Sequence, residues 1–416
     1  MWLSVVRRPS IFTLILPGFL IAATGVGAGD LATASFTGSQ LGLAILWAVL
    51  VGGVMKFFLT EGLARWQLVT GTTFLEGVAQ RFSPVVGWLF LPYLLLWTFF
   101  VGSALISACG ISLHAIIPVF DDPSQAKIWF GALCSLAGLL LVKAGGFRLF
   151  ARAMSICVGV MFVTVIVTAV LLKPDLSEVL SGLIVPAIPD REGSGITWTL
   201  ALIGGIGGTV TILCYGYWIR EKGRAGTEWI SLCRVDLAAG YTMTILFGLA
   251  MVIVGNAIEV DGKGAGLLIA LSQSLETTLG PFGRWLFLLG AFSAVFSSLL
   301  GVWQAVPYLF ADIWRLLIDK QSDATRIDLT KTRPYNVYLF AIAIVPLLGL
   351  FMSFKEVQKL YSVIGALFMP MLALALLILN GRKGWVGEHR NRLVSRVVLV
   401  TTLIFFAVLA YLSWTK

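Results

Sequence analysis

One carboxylate stands inside a stretch that is otherwise apolar and glycine-rich, Gly25-Val26-Gly27-Ala28-Gly29-Asp30. Gly25, Gly27 and Gly29 recur at every second position, and Asp30 follows directly. An acid in such surroundings is costly unless it meets a cation or faces a polar cavity. The glycines let the helix loosen there, which a membrane tolerates only where protein or a water-filled cavity surrounds the backbone. A second loosened stretch reads Gly204-Gly205, Gly207-Gly208 and Thr209-Val210-Thr211. Two such breaks, one of them carrying an intramembrane acid, mark a candidate substrate site. A membrane-embedded enzyme needs at least two convergent reactive groups, and only Asp30 and Lys56 lie deep in apolar runs.

Two further side chains compete for a role at these breaks. Cys214 follows Thr211 by three residues and could turn a soft thiolate towards the same cavity, although a free helical cysteine is more often a small buried hydrophobe. Lys56 stands five residues before Glu61. It either pairs with Glu61 or snorkels to an interface, or it neutralises Asp30 in place of a bound cation. The histidines, His114 at a helix end and His389 in a basic loop, are proton-relay types read here as interfacial.

The elements that must position these residues follow from composition. Hydrophobic residues make up 58% of the 416 and charged residues 12%, about half the charge of an ordinary soluble domain. Apolar runs of about 20 residues, the length that crosses ~30 Å of hydrocarbon, recur along the whole chain. Eleven spans are expected, at 11–36, 41–64, 86–114, 127–143, 150–172, 197–219, 236–256, 285–310, 335–352, 358–380 and 395–414. The fold class is an all-α membrane protein, and residues 1–416 form one transmembrane domain. No cleavable signal is read at the start, the five cysteines are read as free thiols, and Gly-x-Gly patterns lie within spans rather than between strand and helix.

Charge sorts by side. The N-terminus and alternate loops hold 21 of the 30 basic residues, among them Arg7, Arg8, Arg65, Arg234, Lys320, Arg326 and Arg390. The opposite side carries eight basic residues beside ten acids, including Asp121, Asp122, Asp175 and Glu178. The positive-inside rule then puts the N-terminus in the cytoplasm and, with an odd span count, the C-terminus outside. The net charge of +9 is therefore read as membrane topology and not as a nucleic-acid surface. Arg234 with Asp236 and Asp312 with Arg315 are expected as interfacial pairs. Trp88, Trp97, Trp129, Trp198, Trp218 and Trp229 fall near span ends and read as an aromatic belt.

The breaks at Gly25–Asp30 and Gly204–Thr211 occupy equivalent places if residues 11–172 and 197–380 are two five-span repeats, with 395–414 as an extra helix. An odd number of spans per repeat forces opposite orientations, the inverted plan in which discontinuous helices meet at a substrate site. Close helix packing would also use small residues; the matching positions and the acid favour the site.

These residues carry a family resemblance. Pro17-Gly18-Phe19-Leu20, Gly29-Asp30 and Ala32-Thr33-Ala34 resemble the first helix of the Nramp family of divalent-metal transporters. Ala64-Arg65-Trp66-Gln67-Leu68-Val69-Thr70-Gly71 and Leu75-Glu76-Gly77 resemble its second, with weaker likeness at Gly208-Thr209-Val210, Phe296–Gly301 and Pro370. The resemblance implies the LeuT-like fold of the amino acid–polyamine–organocation superfamily, alternating between inward and outward states. It also implies a metal site of Asp-Pro-Gly-Asn in helix 1 and a methionine in helix 6. Here those positions read Gly27, Ala28, Gly29 and Asp30, and Thr211 stands for the methionine, with Leu213 for a following histidine. One carboxylate remains, shifted by three residues, and the thioether is gone, so the set that the resemblance implies is oxygen-rich: Asp30, Thr211, main-chain carbonyls near Val26, Gly27 and Gly208, and Thr33. The expectation is a secondary transporter of a divalent cation, harder and more Mg²⁺-like than Mn²⁺ or Fe²⁺. Trp97 to Ser112 in the third span lacks the family's acids, so proton coupling is expected to be weak or absent. The alternative is a transporter of a small organic solute such as an amino acid. No cofactor, nucleic acid or obligate protein partner is expected beyond the bilayer, and the location expected is a cell membrane, the inner membrane of a bacterium.

Overall fold

The computed structural model describes residues 16–27, 29–190, 192–257, 267–319 and 328–414. Ala28, Arg7, Arg8, Lys320 and Arg326, which entered the reading of the sequence, lie outside the described residues. The chain is helical nearly throughout: α1 (Leu16–Gly25), α2 (Ala34–Leu41), α3 (Leu46–Thr70), α4 (Phe74–Arg81) and α5 (Pro84–Ile116). After these come α6 (Pro123–Ala144), α7 (Leu149–Leu171), α8 (Leu176–Ile184), α9 (Gly195–Gly205), α10 (Cys214–Glu221) and α11 (Ile230–Asn256). The last five are α12 (Leu267–Trp314), α13 (Arg333–Ile344), α14 (Phe354–Ala366), α15 (Phe368–Leu379) and α16 (Leu393–Trp414). Helix occupies the described part of each expected span, but the expected count of eleven crossing helices is not reached among these residues. Among the described residues nine helices are long and apolar enough to cross a membrane, and the segment Leu393–Leu409 is apolar but shorter.

Local chemistry sets the boundaries. Ser83 and Asp122 accept hydrogen bonds from Val85 and Ser124 N–H groups and are each followed by proline at the first helical position, where the missing N–H costs nothing. Thr73 and Glu76 close a reciprocal capping box at the head of α4. The helix before it stops at Gly71, whose φ of 74° is left-handed. In α12 the Gly280-Pro281 pair, with Gly280 at φ 73°, bends the helix.

The core is a belt around the two discontinuous helices. α1 packs on α11 and α12, and α9 packs on α3 and α14. Trp88 and Trp129 are exposed, 51% and 66%, as a belt requires. Trp97, Trp198 and Trp218 are not: all three are buried. The expectation fails for them because each is enclosed by neighbouring helices. Trp97 Nε1 donates to Thr209 Oγ1 at 2.7 Å and Trp218 Nε1 to Gln304 Oε1 at 2.9 Å.

Candidate functional site

Both loosened stretches are breaks. α1 ends at Gly25, Val26 still donates its N–H to the Ala22 carbonyl at 2.7 Å, and the chain resumes as a wide π turn over Gly29–Thr33. Such turns leave the regular ladder and cluster at functional sites. α9 ends at Gly205, Gly207 and Gly208 take left-handed φ values of 70° and 83°, and a tight turn over Val210–Leu213 leads into α10. A side chain at either glycine would be strained there.

The two breaks touch. A Cβ on Gly25 would lie 2.6 Å from the carbonyl carbon of Gly207, so only glycine lets the backbones meet. The carbonyls left over at the end of α1 are met from α12: Ser298 Oγ donates to the Thr24 carbonyl at 2.6 Å and Ser297 Oγ to that of Ala23 at 3.2 Å. On the other break, Trp97 holds Thr209. The sequence reading missed Trp97, Ser297 and Ser298 as supports of the site. The serines did stand in the Phe296–Gly301 stretch that carried a weak resemblance.

Asp30 and Lys56 are both fully buried. Each carboxylate oxygen of Asp30 accepts from the Gly207 N–H at 3.2 Å. The Lys56 ammonium donates to the Gly204 carbonyl at 2.8 Å and to the Ile206 carbonyl. The Ile206 carbonyl and the Gly207 N–H belong to one peptide unit. That unit therefore lies between the two charges, its dipole aligned to stabilise both: oxygen towards the cation, hydrogen towards the anion. The orphan carbonyls at the broken end of α9 are thus met by a tethered cation.

This corrects one expectation. Lys56 neither pairs with Glu61 nor snorkels, because Glu61 is taken by Arg65 at 3.2 Å and Arg234 at 2.8 Å. Asp236 likewise pairs with Arg224 at 3.0 Å and not with Arg234. Its Oδ1 accepts from the Gly18 N–H at 2.6 Å, tying α1 to α11. The Asp312–Arg315 pair is present at 2.6 Å, but it is buried within a cluster rather than interfacial. His114 is buried in the last turn of α5, and His389 is exposed.

The remaining expected residues divide. Gly208 and Thr211 sit together, a Cβ on Gly208 falling within contact of the Thr211 hydroxyl. Gly27 is packed against Ser298, and its carbonyl accepts from the Leu31 N–H at 2.8 Å. Thr33 Oγ1 is 3.0 Å from Ser362 Oγ of α14. Cys214 is buried at the head of α10. Among the described residues no group of three or more His, Cys, Asp or Glu side chains converges. A cation at this place would rest on one carboxylate and neutral oxygens.

Comparison with known proteins places this architecture. A family profile described as natural resistance-associated macrophage protein-like matches residues 18–415. The chain is 26% identical over 416 residues to the divalent metal cation transporter MntH of Burkholderia ambifaria, covering 95% of this chain and 87% of that one. In structure it is similar to a variant of the Eremococcus coleocola manganese transporter, with a TM-score of 0.72 at 16% identity over 98% and 88% of the two chains. It is also similar to MhsT in complex with L-phenylalanine, with a TM-score of 0.61 at 14% identity over 97% and 98%. These likenesses give the fold: a LeuT-like helical bundle.

Proposed function

The chain belongs to the natural resistance-associated macrophage protein-like (Nramp) family, and on that premise we propose that it is a multi-pass membrane transporter moving a divalent metal cation by alternating access, with Asp30 as the anionic ligand between the two helix breaks. The observation that carries this reading is the Lys56 ammonium on the Gly204 and Ile206 carbonyls, one peptide unit from the Asp30 carboxylate. The break already receives a cation. A metal ion entering beside Asp30 would replace the ammonium at these carbonyls or share the peptide with it. The full burial of both groups fits an occluded state.

The donors we assign to such an ion are oxygens: the Asp30 carboxylate, the Thr211 hydroxyl and main-chain carbonyls. Oxygen sets suit hard cations, and Mg²⁺, which keeps several waters, needs few direct ligands. We therefore read the cargo as Mg²⁺-like, although relatives are named as manganese or divalent metal transporters. With no acid between Trp97 and Ser112 of α5, transport is read as weakly coupled to protons or uncoupled. The positive-inside sorting supports a cytoplasmic N-terminus and an outside C-terminus.

Uptake of Mg²⁺, Mn²⁺ and Cd²⁺ into proteoliposomes, with and without a pH gradient at constant voltage, tests this. The expected result is Mg²⁺ uptake indifferent to the gradient and abolished in Asp30→Asn. Mn²⁺ competition at micromolar concentration that is lost in Asp30→Asn would overturn the hard-cation reading. The second reading, a small organic solute, is favoured by the same lysine: a site that carries its own cation needs no metal. Calorimetric titration with amino acids that gives saturable heat, where metals give none, would move the conclusion there.

A further inference from the structure

The basic end of the bundle carries a pocket that the transport site does not use. Arg65, buried near the end of α3, donates from Nη1 to the His389 carbonyl at 2.7 Å and from Nη2 to Asn391 Oδ1 at 2.9 Å. Asn391 is itself pinned: its N–H donates to the Asn380 carbonyl at 2.8 Å, and Asn380 Nδ2 donates to the Gly62 carbonyl at 2.7 Å. The segment before α16 is thereby fixed on α3, and Arg390 and Arg392, on either side of buried Asn391, are exposed.

Two adjoining cavities of about 210 and 420 Å³ open here. Arg390, Arg392 and the acidic Glu388 line both, Arg65 and Arg234 line the first, and Arg396 lines the second. Positive charge is in excess. Arg65 and Arg234 share the single carboxylate of Glu61, and Glu388 is already paired with Lys383 at 2.9 Å. Among the described residues no carboxylate lies within ion-pair distance of Arg390, Arg392 or Arg396. The first cavity also meets the start of α11 at Ile230 and Ser231, where the helix dipole adds positive potential.

Guanidinium forks match phosphate oxygens in pairs. The apolar side of the ligand is indicated by Leu393, Val394 and Val397 in the first turns of α16, exposed by 76%, 61% and 53% directly beside the arginines. We propose that this pocket binds the phosphate of an anionic phospholipid headgroup, with the acyl chains lying along Leu393, Val394 and Val397. A bound lipid would bridge α3, α11 and α16, and so hold the last helix to the bundle.

The test uses the full-length protein in detergent micelles, titrated with phosphatidylglycerol, phosphatidylcholine or inorganic phosphate and followed by native mass spectrometry and thermal stability. Phosphatidylglycerol is expected to bind on the order of tenfold more tightly than phosphatidylcholine. The double variant Arg390→Gln/Arg392→Gln should lose about that factor, whereas Lys331→Gln, an exposed basic change elsewhere, should keep it. Both arginines are exposed, so the double variant should keep its unliganded melting temperature. Equal binding of the two lipids, or an unchanged preference in the double variant, overturns the proposal. Protection by inorganic phosphate as strong as by phosphatidylglycerol overturns the lipid assignment.

Discussion

At the end of α12, Arg315 lies 2.6 Å from both Asp312 and Glu76, whereas Lys56 and Asp30 at the helix breaks meet only through the two ends of one peptide unit. The first cluster is closed. Asp312 Oδ2 also accepts from Thr73 and Tyr217 hydroxyls at 2.8 Å, and Glu76 Oε2 accepts from the Thr73 N–H at 2.6 Å. Every carboxylate oxygen there has a partner, so α4, α10 and α12 are locked together. The second pair is open. Asp30 has backbone N–H donors only, from Gly207 of the facing break on both oxygens and from Gly27 of its own. Among the described residues no side-chain cation touches it: its countercharge is separated from it by a peptide unit. Direct buried ion pairs hold elements in place; on the transport reading proposed above, the pair interrupted by a peptide is the one that exchanges its electrostatic partner for a solute.

The largest effect should come from breaking the closed cluster. Arg315→Ala removes the direct ion-pair partner of Asp312 and leaves Glu76 only Arg220, 4.0 Å away, and removal of one partner of such a pair costs about 3–5 kcal/mol. We expect a steep fall in melting temperature in detergent, with little folded protein recovered. A variant as stable as wild type would show that the hydroxyl and backbone donors suffice, and the contrast between the two regions would collapse.

The open pair predicts a smaller and reciprocal effect. Lys56→Met removes the donor from the Gly204 and Ile206 carbonyls and leaves Asp30 without its buried countercharge, at a cost of about 2–3 kcal/mol. Asp30→Asn alone should cost a similar amount. The double variant should recover about 1–2 kcal/mol relative to the sum, because groups sharing a network are not additive. Strict additivity in chemical unfolding would mean that the peptide between residues 206 and 207 does not link the two charges.

Next comes the contact between the breaks themselves. Gly25→Ala places a methyl 2.6 Å from the Gly207 carbonyl carbon, and backbone cannot give as a side chain can. Overpacking of this kind costs about 1–3 kcal/mol, and here it should also separate Asp30 from the Gly207 N–H and depress transport more than stability. Wild-type uptake in Gly25→Ala would mean that close approach of the breaks is not required.

How much of this could be read from the chain depends on which forces were local. The apolar runs, the glycine breaks and the buried acid are properties of single segments; the breaks and the enclosed carboxylate reappear, and the runs reappear as helices, of which nine among the described residues are long and apolar enough to cross a membrane. The partners of the charges are not local. Lys56 meets carbonyls that lie 148 and 150 residues away, whereas Glu61 keeps its neighbour Arg65 four residues along and adds an arginine 173 residues away. Sequence spacing finds the i,i+4 pair but not the long-range partners, and those decide where Lys56 goes. Trp97 shows the same limit. Grouped with the aromatic belt, it in fact lies well inside the span 86–114, and the approach of α5 to the second break turns its N–H inward.

That inward bond gives the smallest and cleanest prediction. Thr209 packs its methyl against α14, where a Cβ on Gly365 would lie 2.5 Å from Thr209 Cγ2, and it accepts from Trp97 with its hydroxyl. Thr209→Val keeps the shape and removes the acceptor, leaving a buried indole N–H unpaired at a cost of about 1 kcal/mol. If the bond holds the second break open, Trp97→Phe in the same background should cost little more, since its partner is already gone. A double-mutant cycle in chemical unfolding is then expected to show coupling of about 1 kcal/mol. Zero coupling would reduce Trp97 to packing. The left-handed pair Gly207 and Gly208 would then hold the break without help from α5, and the open pair would owe its geometry to glycine alone.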